Sequence, residues 1–157
     1  MSSHPTTSDA RRVVVADPYP GRVSSADYAD AFAMDRMVSD MRTPEQWARD
    51  GFGGLSQSSR ESGMRAHRLL LGFRLGPFSD ADHIFGWIVA ERRADLVRLE
   101  TTGHLMSGCM EWRLTPGLVT LTTFLKYRRP ILAALVWRFA GRVHRRGAPR
   151  ILGLAAK

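Results

Sequence analysis

Residues 118–146 read Leu-Val-Thr-Leu-Thr-Thr-Phe-Leu-Lys-Tyr-Arg-Arg-Pro-Ile-Leu-Ala-Ala-Leu-Val-Trp-Arg-Phe-Ala-Gly-Arg-Val-His-Arg-Arg. The first ten alternate with period two and are rich in β-formers, which reads as a strand. Pro130 suits the first turn of a helix, where its missing amide hydrogen costs nothing. The residues after it repeat every three to four positions, the period of an amphipathic helix. A last strand that feeds directly into a long helix places one helix across one sheet.

The remainder of the chain fits that frame. A length of 157 residues gives one domain with a single core. The expected division is a mobile tail over residues 1–20 and one domain over residues 21–157. Hydrophobic content of 44% and charged content of 24% are those of an ordinary globular protein. The net charge of +8 is carried almost entirely by arginine, because Lys126 and Lys157 are the only lysines. Such a balance is compatible with nucleic acid, an anionic surface or an acidic partner and selects none of them. Cys109 is the only cysteine, which excludes an intrachain disulfide and a cysteine metal cage. Val13-Val14-Val15-Ala16 is too short for a secretory core, and no apolar run approaches the ~20 residues of a membrane span. A cytoplasmic location is the expectation.

Within the tail, Val13–Ala16 is a candidate short edge strand. Ala26–Met34 alternates Tyr28, Asp30 and Phe32 with small residues and reads as the first strand. Thr43-Pro44-Glu45-Gln46 is a helix start, with Thr43 as N-cap and Gln46 three residues on as its capping-box partner. A second helical segment runs from Gln57 or Ser58 to about Leu71. Four strands follow: His83–Arg92, Leu96–Leu105, Gly108–Leu114 and Leu118–Tyr127. Short turns separate them, so neighbours are antiparallel. Val97, Leu99 and Thr101 share one face of their strand, as do Met110, Trp112 and Leu114, and Val119, Leu121, Thr123, Leu125 and Tyr127. The pattern of His83–Arg92 leaves both faces open as the inward one. On a wheel at ~100° per residue, Ile131, Leu132, Leu135, Val136, Phe139 and Val143 form an apolar arc expected to face the sheet. Arg138, Arg142 and Arg145 lie opposite, with Trp137 and His144 together at the arc's edge. Pro149, after Gly147-Ala148, is expected to kink or interrupt the helix.

The fold class is therefore α+β: a curved antiparallel sheet wrapped around a long C-terminal helix, with two short helices between the first and second strands. The order of elements resembles the START/polyketide-cyclase superfamily, also called SRPBCC or helix-grip. Gly86-Trp87, Leu99-Glu100-Thr101, Leu121-Thr122-Thr123, Arg129-Pro130, Trp137, His144-Arg145-Arg146 and Pro149 carry the likeness. Asp27-Tyr28-Ala29-Asp30 and Gln46-Trp47-Ala48-Arg49 extend it toward the N-terminus. The nearest likeness is to an uncharacterised, mostly actinobacterial subfamily. One departure is the five strands legible here, against six or seven in complete helix-grip domains. The resemblance implies a cavity between sheet and helix that holds an apolar molecule; some members close polyketide rings and others carry lipids.

The expected cavity wall is Trp87, Leu99, Thr101, Met110, Trp112, Leu121, Thr123, Tyr127, Trp137 and Phe139, each of which is equally a plain core residue. His144 is the candidate acid or base, against the simpler role of offsetting the helix dipole. Tyr127 is a candidate proton donor, against the role of a rim aromatic covering the helix start. Arg98, Glu100, Glu111 and Arg113 read as cross-strand charge pairs on the solvent face. Glu100, His104 and Glu111 would enter a cavity only if the sheet faced the other way. The Asp80, Asp82 and His83 cluster lacks metal-site spacing, and Gly51-Phe52-Gly53-Gly54 follows a helix rather than a strand. No metal and no cofactor is expected. The functional reading is a binder of a small apolar, lipid- or polyketide-like molecule. The alternative is a cyclase or dehydratase acting through His144 with Thr101, Thr123 or Tyr127. Nucleic-acid binding through Arg138, Arg142, Arg145, Arg146 and Arg150 is the least favoured, since those residues form an ordinary wet helix face. The oligomeric state is left open.

Overall fold

The computed structural model describes residues 9–15 and 25–157. In chain order the elements are β1 (Arg11–Val13), β2 (Tyr28–Asp35), α1 (Pro44–Gly53), α2 (Gln57–Leu69), β3 (His83–Ile84), β4 (Trp87–Arg92), β5 (Leu96–Thr102), β6 (Met106–Thr115), β7 (Leu118–Tyr127) and α3 (Pro130–Ala155). Seven strands form one antiparallel sheet in the order β1-β2-β7-β6-β5-β4-β3. The long C-terminal helix α3 and the two short helices complete the α+β helix-grip arrangement.

The sequence showed five strands; two more emerge here. β1 adds to β2 as an edge strand from Arg11↔Ala33 to Val13↔Ala31, two residues earlier than the apolar run at 13–16 had marked. The rest of the expected tail, residues 1–8 and 16–20, lies outside the described residues. The stretch read as one strand, His83–Arg92, is a hairpin. Ile84 pairs with Trp87, and the two residues between them, Phe85 (φ 53°) and Gly86 (φ 76°), both turn left-handed. Two successive positive φ angles make the tight turn whose twist suits adjacent antiparallel strands. Phe85 carries that costly conformation while its ring stacks on Phe52, centroids 4.8 Å apart. The hairpin also settles the open face: Trp87 and Val89 are buried and Ile88 is exposed.

The α1 start forms as expected. Thr43 Oγ1 accepts from the Gln46 amide, and Gln46 Oε1 accepts from the Thr43 amide. Two expectations about α3 fail. First, of the kink or interruption expected at Pro149, the interruption is absent: the helix runs from Pro130 to Ala155 with Pro149 inside it. Secondly, most of the large apolar arc faces away from the sheet; Val136 alone packs on the core and Val143 edges the hollow. Ile131, Leu132, Leu135, Phe139 and Val143 are exposed, whereas Ala133, Trp137, Gly141, Ala148, Leu152 and Ala155 are buried. Close approach decides this. Small residues let a helix axis come near its neighbour, and the bulk missing from the helix is supplied by the sheet and α1. A Cβ on Gly51 of α1 would sit 2.9 Å from the Ile151 carbonyl oxygen, and one on Gly54 would sit 3.0 Å from Leu154 Cβ. The C-terminal half of α3 is thereby locked against α1, over Trp47 and Trp112, both fully buried.

The charges on the convex face follow the expected pairing in part. Arg98 pairs with Glu91 and Glu100, and Arg113 with Asp95. Glu111, expected at the solvent, is buried; it stands in register between Arg98 and Thr122. No helix of the described residues is long and apolar enough to cross a membrane.

Candidate functional site

α3 is tight against α1 at one end and stands off from the sheet at its middle. There a cavity of about 470 Å³ opens between the concave sheet face, α2 and α3. β7 supplies Leu121, Thr123 and Leu125, β6 Met110, β4 Trp87, and α3 Trp137, Ala140, Val143, His144, Gly147 and Ala148. α2 and the segment after it supply His67, Leu70, Leu71 and Phe73. Gly108 shapes the floor: a Cβ there would meet Trp87 Cη2 at 2.6 Å, so only glycine lets the indole lie across β6.

Of the residues expected to line a pocket, Trp87, Met110, Leu121, Thr123, Trp137 and His144 do so. The other five are elsewhere. Leu99 and Trp112 are sealed in the core, Trp112 against Gly51 and against Phe52, and it is Phe52 that stands at the cavity. Thr101 donates to the Arg74 carbonyl at 3.3 Å. Tyr127 sits at the β7 terminus, its amide bonded to Asp27 and its ring packed beside the core. Burial, then the Asp27 charge, raises its phenol pKa. Phe139 follows the outward arc of α3, with the Arg142 guanidinium 6.0 Å from its ring centre.

Behind the cavity wall, β2, which the sequence marks only as the first strand, supplies a buried polar cluster that reaches the cavity residue His144. Asp30 is 1% exposed, yet both its oxygens lie 3.1 Å from His144 Nε2. Tyr28 donates its hydroxyl to Asp30 Oδ2 at 2.6 Å. Burial by itself would raise the Asp30 pKa. The His144 and Tyr28 hydrogen bonds, with the charges of His144 and Arg12, outweigh burial and hold the carboxyl below its usual value. Tyr28 moves the other way, pushed up to about 12 by burial and by its bond to Asp30, against Arg145 beside it. Since a carboxylate only accepts, His144 Nε2 carries a hydrogen, and whenever the ring is neutral its lone pair is on Nδ1. His144 Nδ1 has no hydrogen-bond partner among the described residues. Thr123, in register beside Asp30 on the adjacent strand, has a buried hydroxyl with no partner. The alternation Tyr28–Asp30–Phe32 was the available signal for Asp30: a carboxylate at a core-facing strand position needs a partner.

A second histidine faces the same space. His67 packs edge-on to Phe85 (5.2 Å) and Trp87 (6.0 Å), and its Nδ1–H donates to the Gly63 carbonyl at 2.7 Å. Burial lowers its pKa to about 4, so the ring is neutral near pH 7, with its Nε2 lone pair left over. The ring is half-buried and lines the cavity. Asp80, in the loop before β3, lies 2.9 Å through its Oδ1 from Nδ1 of His83, the first residue of β3. Among the described residues no group of three histidines, cysteines or acids is placed to hold a metal.

No protein-family model, curated protein or solved structure matches this chain.

Proposed function

We propose that the chain binds a small apolar molecule, lipid- or polyketide-like, in this cavity, as a helix-grip protein of the START/polyketide-cyclase kind. The observation that supports it is the hollow itself. About 470 Å³ lies within the range of small-molecule sites, and aliphatic and aromatic side chains line most of it. Packed interiors leave few voids larger than a water molecule, so a space of this size between helix and sheet calls for a function. A cyclase built on Thr101 and Tyr127 has less support, because both stand outside the cavity. The arginine face of α3 is also broken up: Arg145 turns to Tyr28 and Arg150 stands at the cavity.

The test is titration with the uncharged probe N-phenyl-1-naphthylamine. Wild-type protein should enhance and blue-shift its emission. Ala140→Trp, which fills the hollow from α3, should weaken binding at least about tenfold without loss of fold. Equal affinity in both proteins would remove the cavity as the site.

A further inference from the structure

We propose that Asp30 and His144 form a general-base pair that moves a proton on an apolar carbonyl compound held in the cavity, with Thr123 hydrogen-bonding the carbonyl oxygen. The inference rests on the cavity taking an apolar ligand and adds a reaction to it. Three observations carry it. His144 Nε2 is held at 3.1 Å by both oxygens of a carboxylate that is 1% exposed. That anchor fixes the ring and leaves Nδ1 as the unbonded nitrogen of a residue lining the cavity. Thr123 lines the same wall, is 3% exposed, and carries a hydroxyl that nothing in the described protein satisfies. An unsatisfied buried hydroxyl is costly, and a ligand acceptor removes the cost.

In the proposed step, Nδ1 takes a proton from the carbon next to the carbonyl. The C–H electron pair becomes the C=C bond of an enolate, and the carbonyl π pair moves onto oxygen, where Thr123 donates. The imidazolium formed lies against the Asp30 carboxylate. It then trades that proton with solvent and delivers one to the same carbon, or passes the proton to the far carbon of a conjugated system. The net change is exchange or double-bond migration, so no oxidant, reductant or leaving group enters. His144 is the catalytic residue and Asp30 its positioning residue. The other ionisable groups around the pair are Tyr28 on β2, Arg12 on β1, Arg145 on α3 and His67 on α2.

The experiment uses 2-tetralone as the apolar ketone, full-length protein in deuterated buffer, and NMR to follow loss of the α-proton signals. Displacement of the naphthylamine probe reports occupancy in the same samples. The expected result is exchange faster than buffer by roughly 10²-fold or more, abolished in His144→Gln while displacement is unchanged. Asp30→Asn should shift the midpoint of the exchange-rate pH profile downward, because the imidazolium loses its counter-charge. Thr123→Val, close in shape, should slow exchange roughly tenfold or more with binding retained, and it keeps the test open if Asp30→Asn fails to fold. Displacement without accelerated exchange in wild type overturns the base pair and leaves the binding reading standing. Exchange undiminished in His144→Gln also overturns the pair. Failure of both probe and ketone to bind overturns both readings.

Discussion

The two ends of α3 solve opposite problems with the same helix. Toward its C-terminus α3 closes on α1 and its cap, where Gly51 leaves no room for a methyl group between Ile151 and Trp112 and Gly54 none beside Leu154. At its middle, Trp137 and His144 face a hollow of about 470 Å³. Polar groups divide along the same line. At the closed end the ionic contacts stay at the surface, as in Arg42 with Asp40 and Asp50. At the open end a carboxylate, a phenol and two imidazoles are drawn inside. The contrast teaches where stability and chemistry reside: the closed end holds the helix in place, so the open end can keep space and partly unsatisfied polar groups.

The largest test of that contrast compares two tryptophans. Trp112→Ala at the closed end should cost about 3–5 kcal/mol in denaturant unfolding, since a fully packed side chain leaves a void. Trp137→Ala beside the hollow should cost clearly less, about 1–3 kcal/mol, because it already borders empty space. Equal losses would mean that the two ends are packed alike.

The second test is pH. His67 is lowered to about 4 in the folded protein from an ordinary 6.5, so the unfolded chain binds the extra proton first. Its penalty is absent above pH ~6.5 and grows as pH falls to ~4, reaching on the order of 3 kcal/mol. Wild-type thermal stability should therefore fall between those values, and His67→Phe should flatten that slope. Asp30, with its depressed pKa, acts in a lower window: its stabilisation is full above the unfolded value and is lost as pH falls through the folded one. A variant whose slope between pH 6.5 and 4 matches wild type would show that His67 is solvated rather than held in an apolar wall.

The smallest expected effect concerns the outward arc. Leu135→Ser, on the exposed side of α3, should change stability by no more than about 0.5 kcal/mol, against the large cost at Trp112. A loss of 2 kcal/mol or more would mean that the arc is covered in solution.

Strand alternation, the Thr43–Gln46 capping box, Pro130 at the start of α3 and the α+β class were all legible in the residues, because each is a local property of one element. Met110, Leu121 and Thr123, named for the cavity wall, line it for the same reason: a β-strand has only two faces, and one was apolar. The edge strand β1 was misplaced by two residues, and the Phe85-Gly86 turn was hidden inside a run of β-formers. A positive φ at phenylalanine is sustained by its stack on Phe52, a contact that no local pattern announces.

The sequence by itself determined the helices, five of the strand segments in outline and that α3 is amphipathic. Only the tertiary structure decided which side of α3 faces inward, because the choice depends on how closely two backbones can approach, and the small residues won over the large apolar ones. It also decided that Asp30 meets His144 across 114 positions of chain. A buried carboxylate requires a partner, but its identity is set by the pairing of β2 with β7 and by the path of the helix above them.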